Sequence, residues 1–248
     1  GSFRFAKRIE EKYIALGGKI HYNKEVKKIL TEDRTALGIL LQDNTIIRSD
    51  ITISAADWHY TLFEALEGKF VNSKILALAM QKKLKVYSSV VLISLGVSGT
   101  FSELPHFFRF PVGAAVVSPD GTTYERLEVH IYHYDPTLAP EGKTIIALSF
   151  YTRNGDYWID LRESDRLTYN LRKNEFAQEV INRLEEKIAG IKQAVEVMDI
   201  ATPATYHRYT NNWKGSVQGW FPDSNLMASS PVGIEIPGLS GFYYCNHW

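Results

Sequence analysis

Three absences narrow the reading before any motif is considered. The 248 residues hold a single cysteine, Cys245, which excludes a disulfide scaffold and a Cys-rich zinc site and fits a reducing compartment. No apolar run approaches the roughly 20 residues that a membrane-spanning helix needs. The opening residues carry Arg4, Lys7, Arg8, Glu10 and Glu11 where a signal peptide would have its apolar core. Neither sign of charge is in excess: 28 Lys and Arg balance 28 Asp and Glu, so nothing at whole-chain level points to nucleic acid or to an acidic substrate. The expectation is a soluble, cytoplasmic chain. Its 45% hydrophobic and 23% charged residues leave enough apolar surface to offset the entropy of folding. Aromatic residues, 14 Tyr and 5 Trp among them, crowd the last third; a planar or apolar ligand and an ordinary core account for them equally.

Catalytic signatures are missing as well. Neither Gly215-Ser216-Val217-Gln218-Gly219 nor Gly238-Leu239-Ser240-Gly241 has the G-x-S-x-G spacing of a nucleophilic serine on a sharp turn. His130 and His133 lie three apart in a strand-like segment, so their side chains leave by opposite faces and share no metal; no metal site is expected. No G-x-x-x-x-G-K-[ST] or G-x-G-x-x-G occurs, so the chain has no phosphate-cradling loop of those types. Basic residues gather at Lys24, Lys27 and Lys28 and at Lys82, Lys83 and Lys85, but without interleaved aromatics they read as solvated faces.

What is present is a recognisable order of elements. Phe5, Ile9, Tyr13 and Leu16 recur at helical spacing, with Ser2 as a cap and Gly17-Gly18 as a left-handed stop. Short strands are expected over Lys19–Tyr22, Val26–Leu30, Ala36–Leu41, Thr45–Arg48 and Ile51–Ser54, separated by turn formers. Ala55 and Ala56 then lead to Asp57 at a helix N-cap position. A strand that exits through small residues into a helix start brings backbone close to whatever lies above it, a cofactor or merely a packed neighbour. From Leu84 an antiparallel region is expected, with strands at Val86–Val97, Phe107–Phe110, Ala114–Val117, Arg126–Tyr134 and Lys143–Thr152. One long helix follows, marked by Leu167, Leu171, Phe176, Val180, Leu184 and Ile188, then a strand over Val195–Ile200 and an aperiodic tail rich in Tyr, Trp, Gly and Pro.

Three stretches carry a resemblance. The opening helix with Gly17-Gly18-Lys19-Ile20, the Val26 strand, the meander and Ile53-Ser54-Ala55-Ala56-Asp57 resemble the middle of phytoene-desaturase- and carotenoid-isomerase-like flavoproteins, within the amine-oxidase-type FAD superfamily. Thr202-Pro203-Ala204-Thr205 with Arg208-Tyr209-Thr210, Gly215 and Gly219-Trp220 resembles that family's T-P-x-T, R-Y-T-G and G-x-x-x-G stretch. Ile236-Pro237-Gly238-Leu239 and the apolar strand after it resemble the start of its C-terminal FAD motif.

The resemblance implies an α+β fold in three parts: residues 1–66 as part of an FAD-binding domain, 67–200 as a largely antiparallel substrate domain with a long helix, and 201–248 as a return to the flavin-facing region. It implies FAD as cofactor of the longer protein and hydride transfer at a C–C bond of an apolar, isoprenoid-like substrate. Peripheral contact with a membrane surface would load that substrate, and the substrate half should present a wide, tunnel-like apolar face. Carried over by position, the Val26 backbone would meet the adenine, Ala55 and Ala56 would pass beside the middle of the cofactor, and Gly219 and Trp220 would lie near the isoalloxazine. The chain reads as an excised middle portion, expected to bind FAD weakly or not at all by itself. Asn211 and Asn246 stand where the family has glycine, with asparagine's tolerance of positive φ expected to preserve both turns. Ser240-Gly241 lengthens the last motif. The competing reading is a non-catalytic module that binds a hydrophobic ligand or a partner without flavin.

Overall fold

The computed structural model describes residues 2–81, 84–222 and 233–248. Lys82, Lys83 and the side chain of Ser2, expected to cap the first helix, lie outside the described residues. Helix α1 (Ser2–Ala15) stops at Gly17, whose φ of 90° is the left-handed conformation its position predicts. Residues 19–22 form no strand. That segment folds back along α1, with Gly18 against the Tyr13 ring and the nearby Glu10 carboxylate raising the Tyr22 pKa, so its backbone does not join a ladder.

An antiparallel meander follows: β1 (Val26–Glu32), β2 (Thr35–Leu41) and β3 (Ile46–Arg48), in spatial order β1-β2-β3. Asp33 and Arg34 both have positive φ, the geometry of a hairpin turn that matches strand twist. Gly38, at φ 128°, is required inside β2 because a Cβ would overlap the Ile47 carbonyl. Strand β4 (Thr52–Ser54) leaves the meander and pairs in parallel with Phe242–Tyr244 near the other end of the chain. A π-helical turn (Tyr60–Ala65) and α2 (Ser73–Ala79) complete this half; the Asn72 side chain caps α2 by accepting from the Ile75 N–H at 3.0 Å.

The middle of the chain forms a five-stranded antiparallel sheet. Its strands are β5 (Ser89–Ser98), β6 (Phe107–Val117), β7 (Thr123–Ile131), β8 (Lys143–Thr152) and β9 (Val195–Ala201), in spatial order β6-β7-β8-β5-β9. The two strands expected at Phe107–Phe110 and Ala114–Val117 are one strand, interrupted by a register shift after Pro111, which has no N–H to donate. The single long helix expected after β8 is two, α3 (Gly155–Ser164) and α4 (Arg166–Glu185), because the Asp165 carboxylate between them accepts the Leu167 and Thr168 N–H groups and starts a new helix. Leu167 and Leu171, expected on its apolar stripe, are 84% and 56% exposed; the buried face runs through Tyr169, Phe176, Val180 and Leu184. A short turn α5 (Ile191–Ala194) leads into β9. Helix α6 (Pro203–Thr210) lay in the stretch read as aperiodic. It is too short to display a period, and a reciprocal Thr202–Thr205 capping box starts it. The chain ends in a 3₁₀ turn (Trp213–Gly215) and β10 (Phe242–Tyr244).

Two hydrophobic cores result, in keeping with an α+β architecture. Alternate residues of β5, among them Val91, Ile93 and Leu95, pack with Phe150 and Trp158 against α4. Each such fully buried side chain contributes about 1.5–3 kcal/mol. The other core gathers Trp58, Leu62 and Leu66 with Trp220, Phe242 and Trp248. Core membership changes between Val86 and Val91 and again between Ala204 and Trp220.

The start of α3 is pressed against the 3₁₀ turn: a Cβ on Gly155 would overlap the Lys214 carbonyl oxygen. Gly155→Ala is therefore expected to cost about 1–3 kcal/mol through overpacking against rigid backbone. Urea unfolding of the two proteins checks this, and an unchanged midpoint would remove the contact from the account.

Candidate functional site

Where β4 exits, the alternation of the strand gives way to Ala55 and Ala56, and both alanines are exposed. Above them lies a hollow of about 330 Å³, near the lower end of small-molecule cavities. The meander closes one side with Val26 and Ile39, and the π-helical turn closes another with Tyr60. The structure thus brings Val26, Ala55 and Ala56 to one cavity, although 29 positions separate the first two in sequence. The Val26 carbonyl already accepts a hydrogen bond from the Tyr60 hydroxyl at 2.7 Å. Sequence reasoning missed Tyr60; its place three residues after the Asp57 cap was the only available signal.

The exit is held from the other end of the chain. Beyond the β4–β10 pairing, the Cys245 N–H donates to the Ser54 carbonyl at 2.9 Å, and the Asn246 side-chain amide donates to the Ala56 carbonyl at 3.0 Å. Asn246 does not take the positive φ expected of it; it substitutes a side-chain bond for glycine's flexibility. Asn211 does adopt the left-handed conformation, at φ 54°. The lengthened Ser240-Gly241 stretch also has a purpose: the Ser240 N–H donates to the Arg34 carbonyl at 2.8 Å and the Ser240 carbonyl accepts from the Ala36 N–H at 2.9 Å. These bonds tie the final segment to the meander.

Gly219 and Trp220 do not line this cavity. A Cβ on Gly219 would overlap the His247 carbonyl, so this glycine permits two backbone segments to touch. Trp220 packs with Trp58, Trp213 and Trp248, all six pairs of ring centroids lying 5.3–6.2 Å apart. The indole N–H groups of Trp58, Trp220 and Trp248 are buried without an acceptor among the described residues. His59 stacks between Trp213 and Phe63, at 4.6 and 4.5 Å. Of the two histidines considered for a metal, His130 lies against the Phe107 ring at 4.6 Å and His133 Nε2 bonds to the Leu104 carbonyl at 3.1 Å.

Asp57 joins the cavity to the tryptophans. One carboxylate oxygen accepts the Tyr60 N–H at 2.9 Å, as an N-cap should, and the other accepts the Trp213 N–H at 3.0 Å. Burial outweighs these bonds and pushes its pKa up to about 6. His59 is pushed down to about 4, first by burial and then by the positive charge of Lys214.

No family model matches the chain. Prolycopene isomerase of Daucus carota is 27% identical over 247 residues, covering 96% of this chain and 38% of that protein. The neurosporene-forming phytoene desaturase of Cereibacter sphaeroides is 22% identical over 257 residues, 91% of this chain and 48% of that protein. The chain is similar to carotenoid desaturases and isomerases. It spans roughly two fifths of the length of the curated relatives it matches. Among solved structures, an oxidoreductase from Methanosarcina mazei superposes with a TM-score of 0.57 at 20% identity, over 96% of this chain and 47% of the other. A putrescine oxidase variant gives 0.57 at 12% identity, over 94% and 44%. Both share the fold.

The opposed shifts at Asp57 and His59 make a testable pair. Folded Asp57 keeps its proton up to about pH 6, against about 3.9 when unfolded, so its contribution to stability is lost as pH rises through that window. Folded His59 stays neutral down to about pH 4, against about 6.5 unfolded, so its contribution grows over nearly the same window. Asp57 is worth about 3 kcal/mol, and solvent screening of the less buried His59 holds its share to a similar size, so the two largely cancel. Relative to the parent, Asp57→Asn should gain stability steeply from pH 4 to 6.5, and His59→Phe should lose it over that range. Urea denaturation at several pH values measures both, and parallel profiles for all three proteins would refute the assignment.

Proposed function

We propose that this chain forms the central part of an FAD-dependent oxidoreductase of the desaturase, saturase or isomerase type, acting on C–C bonds of an apolar, isoprenoid-like substrate. The observation that supports this most directly is the cavity at the β4 exit, where Val26, Ala55 and Ala56 meet. Its surroundings suit the adenosine side of a dinucleotide. The methyl groups of Ala55 and Ala56 leave room that larger side chains would fill, and Val26 offers backbone at the mouth of the meander. On the ring side, the three indole donors without an acceptor among the described residues fit a carbonyl-bearing ring, with Gly219 and Trp220 next to it. In this structure the four indoles pack on one another, so that side stands closed. In this reading residues 1–66 and 201–248 serve the cofactor and 67–200 the substrate.

When bound, the flavin supplies the two-electron chemistry at the substrate carbons. The chain's part is to position the substrate and exclude water. The sheet face turned away from α4 is suited to an extended apolar molecule. Across it, Phe107, His130, Ala147, Ser94 and Asp199 follow one another in register, with small side chains at Ala147 and Ser94. Among the described residues no helix is long and apolar enough to cross a membrane, and contact with a lipid surface is proposed as the route by which substrate arrives.

A second reading, an apolar-ligand module without flavin, draws on the closed tryptophan side. Titration of the full-length protein with FAD, followed by flavin absorbance, separates the two. The oxidoreductase reading expects a bound-flavin spectrum, and it expects Ala55→Leu to weaken binding at least about tenfold, a loss of about 1.4 kcal/mol, with unchanged circular dichroism. Binding of an apolar dye with no flavin spectrum at any FAD concentration would favour the module.

A further inference from the structure

A second hollow, of about 290 Å³, lies where the two cores meet, apart from the strand exit. Lys85 enters it from the segment before β5, Arg153 from the turn between β8 and α3, and Lys214 from the 3₁₀ turn. No acidic residue is among its lining residues as described; Asp156, at the start of α3, is ion-paired with Lys214 and leaves two positive charges in excess. Two hydroxyl side chains that contribute to its lining, Ser89 and Thr152, are each 2% exposed. Both are fixed by the fold: Ser89 donates to the Gly215 carbonyl at 2.5 Å, and Thr152 accepts the Asn154 N–H at 2.9 Å. The Arg153 guanidinium lies 5.1 Å above the Phe221 ring, which stacks on Tyr87, and forms no ion pair among the described residues. Lys214 has φ 57° and ψ 20°. A non-glycine residue is strained in that region, and the strain persists where the surrounding structure fixes it.

We propose that this cavity binds a phosphate group. A phosphate monoester carries about −1.5 to −2 charge at neutral pH, which matches the excess, and its terminal oxygens suit the cationic side chains that three segments contribute to the lining. A carboxylate would neutralise only one of the two. The phosphate is presented either by a soluble phosphate ester or by an anionic lipid headgroup.

The test uses the full chain and two probes: inorganic phosphate in equilibrium dialysis, and phosphatidylcholine vesicles with or without phosphatidic acid in co-sedimentation. Arg153→Gln and Lys85→Gln should each weaken binding about tenfold, the value of one charge-assisted bond. Lys7→Gln, on exposed α1, should change nothing. Saturable binding of inorganic phosphate that both cavity variants weaken identifies a soluble ligand. Binding confined to phosphatidic acid vesicles, weakened likewise, identifies a headgroup. No binding of either probe, or binding equal in both variants and the parent, overturns the proposal. Near-UV circular dichroism verifies that each variant is folded, and either variant alone suffices if the other is not.

Discussion

The carboxylate of Asp57 links parts of the chain that are 156 positions apart. By accepting the Tyr60 N–H it fixes the angle at which the chain leaves β4, and by accepting the Trp213 N–H it anchors the turn that leads to Gly219 and Trp220. The cavity at the strand exit and the tryptophan cluster therefore share one buried acid. A buried carboxylate is tolerable only because backbone donors satisfy it, and loss of either bond would leave an expensive unpaired group. The opposite protonation tendency of His59, stacked on Trp213 two residues along from the acid, keeps the junction's electrostatic cost nearly level across mildly acidic conditions.

Much of the fold was legible because its cues are local. The meander announced itself through turn formers, and Asp33, Arg34 and Asn44 do adopt the positive φ that such turns require. The antiparallel sheet followed from β-branched runs. The errors fall where a long-range or capping contact overrides a local pattern. Residues 19–22 have strand-like composition but are drawn back onto α1. Asp165 cuts one apparent helix into two by capping the second. Leu167 continues a helical spacing, yet it lies in the first turn of α4, on the solvent side of that cap.

The candidate site divides in the same way. Ala55 and Ala56 were visible as small residues after a strand, and Val26 by its place in a resemblance; they share a cavity because β4 runs beneath the meander. Tyr60, which claims the Val26 carbonyl, was marked only by its place three residues after the Asp57 cap. The tryptophans were conspicuous in composition, but their mutual packing depends on chain segments more than 150 residues apart and leaves no periodic trace. The cationic cavity at the core junction was equally hidden, since Lys85, Arg153 and Lys214 lie in three unrelated stretches.

The parallel pairing of β4 with β10 bears on the timing of assembly. Asn246 reaches Ala56 across 190 positions, so the strand exit has no completed partner until that distant stretch has been synthesised. Loop closure over such a span is slow compared with formation of hairpins. The meander and the five-stranded sheet can therefore consolidate as the polypeptide emerges from the ribosome, whereas the alanine-floored hollow is among the last features to take shape. Until then the Thr52–Ser54 backbone is an unpaired strand edge, and the nascent protein's exposure to misassembly is concentrated there.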